Sequence, residues 1–257
     1  MGLMLEQADT RRRRAEESAH ACARLLKERF GARAVYIFGS LAGESPWHSR
    51  SDIDLAVEGL ADEDYVRALS AVWELLPDGI DLDLITLEQA PPSLVARIKG
   101  EVKMPEDPKE SLKIEIADEF ISLGRIVEEG KAVLNDMASA PTIRDLRAAG
   151  SIIHDFYSGV ERVFERVAVR LGPGLPNGER WHTLLLRAME SDAEGFRQAV
   201  IDHDLALRLV DYLRFRHLFR NSYGYELQWD KLHPLLARLE NTFEILQHQV
   251  ERFVGSI

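Results

Sequence analysis

The spacing of apolar residues changes character once along this chain, and the change falls in KGEVKMPEDPKE, residues 99–110. Before that stretch, runs with strand and helix character alternate; after it only long helical periods remain. A helical pattern predicts a helix over 15–30, with Ala19, Cys22, Ala23, Leu26 and Phe30 on one face. Short β-rich runs at 34–38, 53–57 and 80–85 predict strands. A helix is expected over 62–76, with acids in its first turn, and a shorter one over 93–99 after Pro91 and Pro92. Residues 99–110, with two prolines, a glycine and few apolar side chains, read as a linker. Beyond it, helices are expected over 111–137, 142–171, 181–189, 204–220 and 229–253, broken by Pro141, Gly172-Pro173-Gly174 and Pro176-Asn177-Gly178. The fold expected is an α/β N-terminal domain, residues 1–104, with a small mixed sheet and flanking helices, followed by an all-α helical bundle, residues 105–257.

With 257 residues, 46% hydrophobic and 29% charged, the chain has material for two real cores, which excludes disorder. Forty-three acids against 32 bases give a net charge of −11, which excludes coating of nucleic acid through bulk charge and leaves only a local basic stripe. A single cysteine, Cys22, excludes a disulfide framework and a cysteine zinc site and fits a reducing, cytoplasmic setting. No apolar run approaches the roughly 18 to 20 residues that span a bilayer. Arg11 to Arg14 are not followed by an apolar stretch of signal-peptide type. No membrane association is expected.

The chemistry concentrates in FGSLAGESPWHSRSDIDLAV, residues 38–57. A strand ending in Gly39-Ser40 and turning into a helix would aim backbone N–H groups and a hydroxyl at a phosphate. Asp52 and Asp54 are two apart at a strand, so both carboxylates point to one face. Carboxylates that converge repel one another unless a cation lies between them, and Mg²⁺ is commonly held by one or two carboxylates plus substrate phosphates. The next strand carries Asp81 and Asp83, again at alternate positions, and either could complete a three-carboxylate site. Taken singly, a Gly-Ser turn or a pair of strand acids is ordinary. Four acids in two short apolar runs are not, because acids are depleted in strands.

Gly39-Ser40, the spacer and Ser51-Asp52-Ile53-Asp54-Leu55-Ala56-Val57 resemble the signature of the minimal nucleotidyltransferases of the DNA polymerase β superfamily. The resemblance covers about residues 15–100. It implies that Asp52 and Asp54 hold Mg²⁺, in a site where two metals are plausible, and that Gly39 and Ser40 cradle the triphosphate of ATP or another NTP. A third acid supports the attacking hydroxyl as general base or second-metal ligand. Matching 87–92 to the family's strand end gives that part to Asp83, with Asp81 as its rival. Family members often carry an arginine between glycine-serine and the acids; here Gly43 and Glu44 occupy that loop and Arg50 comes later.

In the helical half, LRFRHLFRNSYGYEL, residues 213–227, places Arg216, His217 and Arg220 along one helical side, with Arg208 and Arg214 nearby. Such a stripe could hold RNA phosphate, pair with acids, or face water. Phe215, Leu218 and Phe219 are expected on the buried side, and Tyr223-Gly224-Tyr225 at the helix end. This segment, with IIHDFYSGVERVFERVA and Trp181-His182, resembles the helical HEPN superfamily, in particular the HepT-like toxins, over about residues 111–257. The family's metal-independent ribonucleases commonly have a histidine four to six residues after an arginine. After Arg220-Asn221 this chain has no histidine in that window; Tyr225 stands there, and His217 precedes Arg220 instead.

The resemblances imply a fused toxin–antitoxin protein that transfers AMP to a tyrosine, Tyr223 or Tyr225, and so controls a ribonuclease half in which Arg216, His217, Arg220 and Asn221 meet RNA. A homodimer through the helices is the expectation from the family. Two other readings stand beside it: a small-molecule nucleotidyltransferase similar to the aminoglycoside-modifying enzymes, and a non-catalytic nucleotide-sensing dimer.

Overall fold

A computed structural model describes residues 2–44, 46–48, 51–90, 92–136, 141–178, 180–221 and 227–257. Its contacts divide into two compact units, Met1–Met104 and Pro105–Ile257.

In the first unit, α1 (Gly2–Phe30) precedes β1 (Ala34–Phe38) and β2 (Ile53–Glu58). A 3-10 turn at Asp62–Asp64, α2 (Tyr65–Trp73), β3 (Leu82–Thr86) and α3 (Pro92–Ile98) follow. The strands lie in the order β1-β2-β3, with β1 antiparallel and β3 parallel to β2. Period-two alternation sorts β2. Ile53, Leu55 and Val57 are fully buried with Ala15, Ala19, Cys22 and Leu26 of α1 and Ala68 and Val72 of α2. Asp54, Ala56 and Glu58 point the other way. The acids of the sheet therefore stand on the face opposite this core.

Helix α1 begins well before residue 15. Its first half carries no apolar period from which a start could be read, but Arg11 ties it down by donating to the carbonyls of Ser51 at 2.8 Å, Gly79 at 3.1 Å and His48 at 3.3 Å. The expected helix over 62–76 is shorter, ending at Trp73, and opens on its three acids as a 3-10 turn.

The second unit contains α4 (Pro108–Asp136), α5 (Ile143–Leu171), α6 (Trp181–Glu190), α7 (His203–Asn221), α8 (Trp229–Ala237) and α9 (Leu239–Gly255). Proline takes the first position of α4, where its missing N–H leaves no bond unmade. Thr142 and Asp145 form a reciprocal capping box at the start of α5. Asp202 plays a similar part for α7: its carboxylate accepts from the Leu205 N–H at 2.9 Å and from Gln249 Nε2 at 2.7 Å. The 229–253 helix is interrupted. Pro234 sits inside α8, and Arg238, with its side chain drawn to Asp211 and lying over the Tyr212 ring, separates α8 from α9.

Helices α4 and α5 run antiparallel and are zipped by charge. Glu119 takes Arg162 at 2.8 Å and Arg166 at 2.9 Å, and Glu115 pairs with Arg170. The two helices approach closely at Gly159, where a Cβ would lie 2.6 Å from Leu123 Cδ2 and 3.0 Å from its Cγ. Around this pair the core gathers Phe156, Tyr157, Phe164 and Tyr212, each almost wholly buried.

Two glycines separate packing from propensity. Gly124→Ala, with open space around the new methyl, is expected to raise stability by about 0.5–1 kcal/mol, the ordinary helical gain. Gly159→Ala, which pushes into fully buried Leu123, is expected to lower it by roughly 1–3 kcal/mol. Denaturant midpoints of the two variants, moving in opposite directions, check this.

Candidate functional site

Strand pairing brings the acids together. Phe38 of β1 lies opposite Asp54 of β2, and Asp54 lies opposite Asp83 of β3. Register partners share a face, so the carboxylates of Asp54 and Asp83 project from the same side of the sheet at the same level. Asp52 sits one pleat earlier, just before β2, where the N–H of Ile53 donates to the carbonyl of Asp81 at 3.0 Å. Asp52 and Asp54 are half-buried, while Asp81 and Asp83 are exposed.

The electrostatics of Asp52 follow from this crowding. Burial, first, and then the negative charges of Asp81 and Asp83 push its carboxyl up to about 6; Arg11 and the backbone N–H of Asp81 oppose the rise. Arg11 also lies over the ring of Trp47, 5.3 Å from its centroid. One guanidinium thus spans the loop before β2 and the Gly79 carbonyl just before β3. Spacing alone does not single Arg11 out, since it is one of four consecutive arginines, Arg11 to Arg14.

Gly39 closes the other side of the site. Its φ is +68°, and a Cβ there would collide with Asp54 Oδ2 and lie 2.9 Å from Asp54 Cγ. The chain therefore passes close over the carboxylate where only glycine fits. Ser40, 8% exposed, follows. No helix opens here, contrary to the sequence expectation. Residues 39–44 form a turn in which the Glu44 N–H donates to the Gly39 carbonyl at 3.0 Å and the Gly43 N–H to that of Ser40 at 3.2 Å.

Among the described residues, no three His, Cys, Asp or Glu side chains form a ready-made metal cage. The donor set nevertheless suits Mg²⁺. It is all carboxylate oxygen, Gly39 lets its Asp54 member lie close under the chain, and its mutual repulsion is what a hard cation relieves. Mg²⁺ is also commonly completed by water and substrate phosphates rather than by protein alone.

In the second unit the basic segment does not form one stripe. Arg208 reaches Asn241 of α9 at 2.9 Å, and Arg214 is exposed beside Asp211. Arg216 turns inward, its side chain 11% exposed and 3.0 Å from Glu161 of α5. A four-residue spacing predicts a shared side but not what covers it, and here Glu161 and His182 cover Arg216. His217 is exposed, its ring edge-on to that of His182 at 5.4 Å. Phe215 is buried as expected, whereas Leu218 is 55% exposed, because it lies one residue beyond His217 on the outer face. Arg220 and Asn221 belong to α7 by their backbone. Their side chains lie outside the described residues, as do Tyr223 and Tyr225.

Residues 20–104 match the family model described as Polymerase beta, Nucleotidyltransferase, and residues 148–257 match that described as HepT-like protein. No curated protein and no solved structure matches the chain. No helix among the described residues is long and apolar enough to cross a membrane.

Two substitutions probe how the site is held. Gly39→Ala is expected to cost roughly 1–2 kcal/mol from its left-handed backbone and its collision with Asp54, read as a lower melting temperature. Arg11→Ala, which leaves three carbonyls without their donor, is expected to lower stability by about 1–3 kcal/mol in the same melts.

Proposed function

Since the chain joins a polymerase β-type nucleotidyltransferase domain to a HepT-like domain, we propose that it is a fused toxin–antitoxin protein in which the first domain transfers AMP from ATP to a tyrosine of the second. The observation that carries the transfer reading is the register that sets Asp54 beside Asp83, with Gly39 lying over Asp54. Asp52 and Asp54 are the residues that would hold Mg²⁺, and Asp83, exposed and level with Asp54, is placed to take the proton of an incoming hydroxyl. When bound, the cation supplies neutralisation of the triphosphate charge. The acceptor oxygen forms its bond to the α-phosphorus as the bond to pyrophosphate breaks, and the hydroxyl proton passes to Asp83. The proton is assigned to Asp83, which lies opposite Asp54 in the β2–β3 register, while Asp81 precedes β3. Gly39, without a Cβ, lets the Asp54 carboxylate sit directly under the turn that would meet the phosphates.

The acceptors of this reading are Tyr223 and Tyr225, which follow α7 closely. The second domain cleaves RNA at the His217 end of α7, and an added AMP, a bulky anion beside basic side chains, silences that cleavage. The partners are then a nucleoside triphosphate, RNA and a second copy of the chain.

Incubation with ATP and Mg²⁺ followed by intact-mass measurement tests the proposal. The protein is expected to gain the mass of AMP, Asp54→Asn to gain none, and the Tyr223→Phe, Tyr225→Phe double variant to gain none. An unmodified wild-type protein would remove the self-transfer reading, and turnover only upon adding a small hydroxylated or amino acceptor would replace it with small-molecule transfer. Equal labelling of Asp54→Asn would remove the site.

A further inference from the structure

Three helices of the second unit converge on one buried carboxylate. Glu161 of α5, 4% exposed, lies 2.5 Å from Nδ1 of His182 on α6, and its other oxygen is 3.0 Å from Nη2 of Arg216 on α7. Arg216 Nη1 stands 3.4 Å from Nε2 and 3.5 Å from Nδ1 of the same imidazole, which closes the three side chains into a ring of contacts. Tyr157, one turn before Glu161 and 1% exposed, has its phenol held up by burial and by the Glu161 charge.

Packing alone does not call for this cluster. Helices α5 and α7 are already joined by the Phe156 and Tyr212 rings, 5.1 Å apart, and apolar side chains in place of a buried ionic cluster are often as stable or more so. The cluster has a direction as well. Exposure rises from Glu161 to His182, 8% exposed, to the Arg216 side chain at 11%, and reaches the surface at His217, whose ring meets that of His182 at 77°. The exposed His217 is thus braced by a buried set whose charges oppose and orient one another.

We propose that Glu161 and His182 are positioning residues of an RNA-cleaving site on α7, which act by fixing the guanidinium of Arg216 and with it the turn that presents His217. This rests on the ribonuclease half of the reading above. In the step itself the His217 ring takes the proton of a ribose 2′-hydroxyl, that oxygen bonds to the adjacent phosphorus, and the bond to the 5′-oxygen breaks. The leaving oxygen takes a proton from water, and His217 later returns its own to solvent. The products are a 2′,3′-cyclic phosphate and a 5′-hydroxyl. Without Glu161 or His182, the buried Arg216 charge loses its partner and has to turn toward another one, which moves His217 away from the phosphodiester.

The test uses the full chain without ATP on a single-stranded RNA oligonucleotide, with cyclic-phosphate product, kcat, KM and melting temperature recorded. His217→Ala is expected to lose about a hundredfold or more in kcat with an unchanged melt. His182→Ala and Glu161→Gln are expected to lose at least about tenfold in kcat with KM within about threefold. His182→Asn, which keeps a donor toward Glu161, should recover most of that loss. If His182→Ala does not fold, Glu161→Gln beside His182→Asn makes the same comparison. Wild-type kcat in both His182→Ala and Glu161→Gln overturns the proposal, and so does equal loss in His182→Ala and His182→Asn, the mark of a merely structural histidine. A wild-type chain that leaves RNA uncut removes the ribonuclease reading itself, and that outcome is told apart by the unmodified protein alone.

Discussion

A carboxylate withdrawn from water has to meet positive charge or surrender its own, and the cost of neither is several kcal/mol. Much of this architecture follows from how its two units meet that demand. In the second unit Glu115, Glu119 and Glu161, all under a tenth exposed, are answered from within the chain by Arg170, by Arg162 and Arg166, and by His182 with Arg216. In the first unit the answer is incomplete. Arg11 and a backbone N–H offset part of the rise at Asp52, yet burial first and then Asp81 and Asp83 still push its carboxyl upward. The fold balances its buried charge in one half and leaves a surplus of like charge on one sheet face in the other.

The internal pairs do more for register than for net stability. Glu115 and Glu119 are one turn apart on α4, and Arg162, Arg166 and Arg170 repeat at the same interval on α5. Sliding α5 by a residue would strand every one of these charges, a penalty larger than the worth of any single pair. Gly159 enforces the same alignment sterically, since Leu123 occupies the place of its missing methyl.

Much of this was legible from local pattern. The strand at 34–38 and the two β-rich runs after it stand in the sheet, and the two-residue spacing of Asp52 and Asp54 put both on one face, as period-two geometry requires. What local pattern could not supply was pairing. Asp81 and Asp83 share a face by the same rule, and only the β2–β3 register shows that Asp83 is the one opposite Asp54. The start of α1 was hidden because its first half carries no apolar period, and the interruption at Arg238 because it depends on Asp211 in another helix. The cluster of Glu161, His182 and Arg216 left no trace, its members lying on three helices 21 and 34 residues apart. Read by spacing, Arg216 belonged with the surface arginines; read by its neighbours, it belongs to the interior.

The bridge made by Arg11 has a mechanical consequence. Its guanidinium grips the carbonyls of Ser51 and Gly79 at once, each within a few residues of an aspartate-bearing strand. The two loops therefore cannot open independently: a displacement that carries one carbonyl away draws the other with it or breaks a hydrogen bond. The spacing of Asp52 from the acids of β3 is therefore held by this shared tether as well as by the sheet.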